Sequence, residues 1–183
     1  MPLTVHGLES AFSWHLTDLD CCMSRGNFIA ALHLLLALPN ICAALETPNF
    51  DARGPEYQGW CAKYLTGTGL DQQEWWEMRN RILHQGWAGT DSNKCRYKTY
   101  SFTVSTARDA APHLAPYTHS DGLNISIHLD RLVSDVKAAM NRWFQELERS
   151  QNPDVSANLL KLMSERPKHE PGMRGPSVVQ SST

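Results

Sequence analysis

Leu8, Phe12, Leu16, Leu19 and Met23 recur at intervals of three and four, with Glu9, Ser13, Thr17 and Asp20 elsewhere on the wheel. A stripe with a period near 3.6 covers one face of a helix, so an amphipathic first helix is predicted here. Ser24-Arg25-Gly26-Asn27 interrupts it, and Asn27 stands where the N-cap of the next helix is expected. From Phe28 to about Glu46 apolar residues point in nearly every direction. That predicts a helix buried at the centre of the fold, kinked at Pro39. Its apolar run from Phe28 to Leu38, broken by His33, is shorter than the ~20 residues a bilayer requires, so no membrane is expected as a partner.

Residues 47–59 carry Pro48, Gly54 and Pro55 and are expected to form a loop, followed by a helical turn from Trp60 to Leu65. Asp71 with Glu74 three residues later reads as a reciprocal N-cap, and Gly86 as the C-terminal stop of the helix between them. The period then changes to two. Tyr100, Phe102 and Val104 alternate with polar neighbours, as do Leu123, Ile125, Ile127 and Leu129. Two paired strands are predicted, forming a small antiparallel β insertion over about 95–129 with an excursion from Ala107 to Gly122 between them. A final amphipathic helix, capped by Asp130, should bury Leu132, Val136, Met140, Trp143 and Leu147 with Val133 and Phe144. Beyond Ser150 there are four prolines and no aromatic residue, which predicts a mostly disordered tail over 150–183 with at most a helical turn near 158–164. The expected fold is therefore mainly α, one helical domain over 1–149 with the β insertion before its last helix.

Composition narrows the functional classes. A chain of 183 residues, 42% hydrophobic and 20% charged, supports one sizeable core. The formal charge of −2 argues against a generic nucleic-acid coat. Yet residues 78–100 hold Arg79, Arg81, Lys94, Arg96 and Lys98 against the single acid Asp91, so this segment is +4 and the remainder −6. A local anion site is possible; a whole-surface one is not. The five cysteines include no C-x-x-C pair, and no secretory leader is evident, which suits reduced thiols and a cytoplasmic location. The eight histidines show no H-x-H or H-E-x-x-H spacing, so neither a metal nor another cofactor is expected.

The chemistry concentrates in Arg79-Asn80-Arg81-Ile82-Leu83-His84-Gln85-Gly86. Arginine is a permanent cation with a donor fork suited to phosphate, and histidine exchanges protons near neutral pH. Asn80 and His84 are i, i+4 neighbours on one face. Arg79 falls inside an apolar arc formed by Trp75, Trp76, Met78, Ile82 and Leu83, about 140° from His84 at 100° per residue. A guanidinium there needs a partner or must run along its stem to a polar rim. RNA cleavage by its own 2′-hydroxyl needs a proton acceptor, a proton donor and a cation over the crowded phosphate. His84 can fill either proton role, Arg79 the cation role, and Asn80 can orient imidazole or phosphate. Arg81, Lys94, Arg96 and Lys98, with Tyr97 and Tyr100, could guide an RNA strand by charge and stacking. Trp75, Trp76 and Trp87 are base-pocket or core candidates, and His33 reads as a hydrogen-bonded core histidine.

The hexapeptide Arg79-Asn80-Arg81-Ile82-Leu83-His84 resembles the R-x4-H signature of HEPN domains, including a polar residue after the arginine. The layout over roughly residues 5–149 is similar too: an amphipathic helix, a very apolar second helix, then the signature helix ending at Gly86. The resemblance implies a helical bundle acting as a metal-independent endoribonuclease, usually dimeric. In that family the arginine and histidine of both subunits meet at the interface. It implies Arg79 and His84 as the catalytic pair, Asn80 as the accessory polar residue, and RNA as substrate. It further implies a setting in toxin–antitoxin or phage-defence systems, with a cognate antitoxin protein as a further partner.

Two other readings stand beside it. One is a catalytically inactive HEPN-like module for dimerisation, nucleotide binding or partner binding. The other is an ordinary helical interaction domain without an anion site, in which Arg79 would be tied to a carboxylate such as Glu46 or Glu77 and point away from His84.

Overall fold

The computed structural model describes residues 2–90, 92–104 and 113–162. Helix α1 (Val5–Ser24) begins where the Thr4 hydroxyl accepts the Gly7 amide at 3.0 Å, and it buries Leu8, Phe12 and Leu19. Helix α2 (Phe28–Leu45) lies at the centre, with Leu35, Leu36, Cys42 and Leu45 fully enclosed and Pro39 inside the helix. By length and composition α2 could cross a membrane; here it packs against α1 and the helices that follow. Asn27 occupies the N-cap position but its side chain makes no capping bond.

Helix α3 (Gly54–Tyr64) starts earlier than the proline and glycine of this stretch suggest. Pro55 sits in the first turn, where its missing N–H is no loss, and the Glu56 carboxylate accepts the Arg53 amide at 2.9 Å. The expected loop therefore ends at Arg53 rather than Gly59. Helix α4 (Gln72–Gln85) has the reciprocal cap its sequence announced: Asp71 accepts from the Glu74 amide and Glu74 from the Asp71 amide, both at 2.9 Å.

The β insertion differs from expectation in number and direction. Strands β1 (Tyr100–Thr103), β2 (Ala115–His119) and β3 (Gly122–His128) form a sheet in the order β1-β3-β2. The two strands foreseen, β1 and β3, run parallel, with Tyr100 opposite Ile125 and Thr103 opposite His128. The reason lies in the excursion, part of which is β2. It forms an antiparallel hairpin with β3 and so returns β3 to the direction of β1. Pro116 is tolerated because β2 is an edge strand. Residues 105–112 of that excursion lie outside the described residues.

Helix α5 (Leu129–Ser150) carries the foreseen stripe, all of it buried, and begins one residue before Asp130, with His128 at the cap position. It is not the last helix. Short helix α6 (Pro153–Asn158) and a 3-10 turn at Leu159–Lys161 follow, against the expectation of disorder from residue 150. Val155 is fully buried, Leu162 nearly so, and the Asn158 amide donates to the carbonyls of Leu45 (3.1 Å) and Thr47 (2.6 Å). One buried amide thus satisfies the carbonyl of Leu45, the last residue of α2, reaches the Thr47 carbonyl beyond it, and draws the segment into the domain. The rest of the expected tail, residues 163–183, lies outside the described residues. The molecule is mainly helical with a small three-stranded sheet.

Candidate active site

Helix α4 is anchored at both ends, and that anchoring sets the site. At its N-terminus the Glu74 carboxylate is fully buried, and Arg96 meets it with Nε at 2.9 Å and Nη2 at 2.6 Å. Arg96 Nη2 also donates to the Gly69 carbonyl at 2.6 Å. At its C-terminus Gly86 adopts a left-handed conformation (φ 63°), open to glycine without strain, while the Gly86 and Trp87 amides donate to the Ile82 and Arg81 carbonyls. His33 on α2 adds a side-chain tie: Nδ1 lies 2.8 Å from the Ile29 carbonyl and Nε2 3.3 Å from the Ile82 carbonyl. His33 stands between α2 and the last turn of α4, with one ring N–H to share between the two carbonyls.

Between these anchors Arg79, Asn80 and His84 come together. Arg79 Nη1 donates to Asn80 Oδ1 at 2.7 Å and lies 3.5 Å from His84 Nε2. The 140° between Arg79 and His84 on the helix wheel is closed by the length of the arginine side chain. A guanidinium can only donate, so in this contact the imidazole nitrogen is the acceptor. His84 is exposed and Arg79 half-buried.

What holds Arg79 is the Trp76 ring of the same apolar arc. Its guanidinium lies 5.5 Å from the Trp76 ring centroid, and Trp76 packs on Tyr57 of α3 with centroids 5.5 Å apart. Gly54 makes room for that indole, since a Cβ there would stand 3.3 Å from it. Burial pushes the Tyr57 hydroxyl well above the usual range, with the Arg79 charge acting weakly the other way. The i, i+3 spacing of Trp76 and Arg79 was a signal for this stack.

The carboxylates that could have tied Arg79 down are taken elsewhere. Glu46 accepts from Trp143 Nε1 at 2.6 Å. Glu77 accepts from Gln73 at 3.2 Å and stands 3.9 Å from Arg81. Among the described residues Arg79 makes no ion pair with a carboxylate, and its Nε is buried without a hydrogen-bond partner. The feature that would mark a plain interaction domain is therefore missing there.

The four further basic residues divide. Arg96 is bound to Glu74 and Gly69, which gives it a fold-building role. Arg81 is held by Gln85 at 2.8 Å and lies 5.4 Å from the Trp87 ring centroid. Lys94 is exposed, and Lys98 lies beside Gly122 at the β hairpin. Trp75 is core, its indole N–H 3.4 Å from the Thr68 hydroxyl, whereas Trp87 is 43% exposed. Among the described residues no three His, Cys, Asp or Glu side chains group in a way that could hold a metal ion.

The arrangement can place a fixed cation and a proton acceptor on one small anion or phosphodiester. No family model, curated protein or solved structure matches the chain.

Proposed function

We propose that the chain is a metal-independent endoribonuclease of HEPN type. The observation that carries the reading is the convergence of Arg79 Nη1 on Asn80 Oδ1 and His84 Nε2, with no carboxylate on the arginine among the described residues. An arginine whose charge is left unneutralised beside an open imidazole suits a phosphodiester better than it suits stability.

In this reading His84 Nε2 takes the proton of an RNA 2′-hydroxyl, and the 2′-oxygen attacks the adjacent phosphorus. The bond to the 5′-oxygen breaks, leaving a 2′,3′-cyclic phosphate and a 5′-hydroxyl. Arg79 bears on the phosphate oxygens, where negative charge grows as the fifth bond forms. Asn80 holds the guanidinium at the angle the phosphate needs. The leaving 5′-oxygen requires a proton, and a second copy of the chain supplies it by bringing another His84 across a two-fold axis. Phe28 and Ile29, 37% and 75% exposed at the start of α2, are the apolar surface we assign to that contact. Lys94 and Arg81 extend the cationic surface along the RNA. All five cysteines are free thiols, which suits the cytoplasm, where a toxin–antitoxin or phage-defence nuclease with a cognate antitoxin would act.

Purified protein, labelled single-stranded RNA and excess chelator test the reading. Cleavage is expected for the wild type and a loss of at least ~100-fold for Arg79→Ala and for His84→Ala. Cleavage that survives both substitutions would remove the site assignment. Folded protein that cleaves no RNA would leave the silent binding module as the better reading.

A further inference from the structure

Trp87 is one of the most exposed large apolar residues described, and it is held rather than loose. It follows His84 by three residues, across the left-handed Gly86. Its amide is fixed to the Arg81 carbonyl at 3.3 Å, and its ring lies 5.4 Å from the Arg81 guanidinium. Arg81 is itself fixed by Gln85 at 2.8 Å. The chain itself also comes close to the ring. A Cβ on Gly89 would lie 2.7 Å from the Trp87 ring, nearer than side chains tolerate, so a larger residue there would displace the indole. Gly89 is in turn pinned by a bridge to Thr99, and Ala88 by the Tyr100 amide at 2.7 Å. A large aromatic surface is thus clamped by cation, glycine and sheet edge while 43% of it faces solvent.

Its position gives that surface a use. Arg81, on which the indole lies, and His84 are i, i+3 neighbours on α4, and Trp87 is the first residue past the Gly86 stop of the same helix. An indole face backed by a guanidinium is a stacking site for a planar base. A base can reach it only if unpaired, because a paired base hides its faces in the duplex. From this geometry we infer that Trp87 stacks an unpaired nucleobase beside the scissile phosphate, restricting the site to single-stranded RNA. The inference rests on the ribonuclease reading for the word scissile, but the stacking itself does not need cleavage.

Binding is therefore measured in the Arg79/His84-intact protein with a 2′-deoxy-substituted, non-cleavable oligonucleotide. Anisotropy is read for the single strand and for the same strand annealed to its complement. The single strand is expected to bind more tightly than the duplex. Trp87→Ala should weaken single-strand binding roughly 5- to 100-fold, and Trp87→Phe should keep most of it. Gly89→Ala, which displaces the ring without removing it, should weaken binding in the wild type but not in the Trp87→Ala background. Equal affinity of Trp87→Ala and wild type for the single strand would overturn the inference. So would equal binding of single strand and duplex, or a Trp87→Ala protein whose only change is a shift from dimer to monomer. Trp87-dependent binding without any cleavage of ordinary RNA would retain the stacking site and remove the ribonuclease reading. Cleavage indifferent to Trp87 would do the reverse.

Discussion

Arg79 sits over Trp76, with Tyr57 behind the indole and Gly54 making room for it. Such a guanidinium is oriented by aromatic contact and by the Asn80 amide rather than by an opposite charge, and its charge stays available to an anion. Glu46 is the contrasting case, a half-buried carboxylate with a pKa raised from its ordinary 4.5, first by burial and against the hydrogen bond from Trp143 and the charge of Lys63. A folded-state pKa above the unfolded one contributes stability that is complete below the unfolded value and lost as pH rises through the folded value. Glu46→Gln keeps an acceptor for Trp143 and removes the charge. Its melting temperature should match the wild type near pH 4 and exceed it at pH 7. A variant less stable than the wild type at pH 7 would show that the charged carboxylate is favoured where it lies.

At the scale of elements, α4 depends on a residue that the sequence suggested for another task. Arg96 neutralises the buried Glu74 and joins the lead-in of the sheet to the first turn of α4. Arg96→Ala leaves that carboxylate buried with only the backbone amides of residues 71 and 96 as donors, with an expected loss of about 3 kcal/mol in urea unfolding, near the low end for broken buried pairs because Arg96 is half exposed. A loss below ~1 kcal/mol would mean that water replaces the guanidinium. Charge clustering in the sequence could not separate Arg96 from Lys94, because the difference is the burial of Glu74, a property of packing across 22 residues. The helices were legible where one face repeats, as in α1, α4 and α5, and where caps have a chemical signature, as at Asp71 and Gly86. The start of α3 was obscured by Pro55, a breaker inside a helix and a starter at its first turn. The direction of β3 was not legible either. Period-two alternation marks a strand and says nothing of its partner, and Ala115-Pro116-Tyr117-Thr118-His119 is a weak signal that an edge position tolerates. Of the site, residue types and spacing were readable; that Arg79 reaches His84 was not, since it depends on rotamers set by Trp76 and α3.

Across the whole molecule, the chain beyond α5 closes the fold around α2. Gln151 exchanges hydrogen bonds with the backbone of Leu3 at 2.9 and 2.8 Å, and Asn158 takes the carbonyls at the end of α2. Truncation after Ser150 removes these and exposes the sites of Val155 and Leu162, so a drop in melting temperature on the order of 10 °C is expected. An unchanged melting curve would show that the segment contributes nothing to the domain.

The proposed chemistry requires one guanidinium and one imidazole on α4 to act together on a phosphodiester. Mass spectrometry of the RNA fragments released in excess chelator reads this most directly. Fragments ending in 2′,3′-cyclic phosphate and beginning with 5′-hydroxyl are expected from the wild type, with none from Arg79→Ala or His84→Ala. Fragments with 5′-phosphate ends, or the same cyclic ends from either variant, would contradict it.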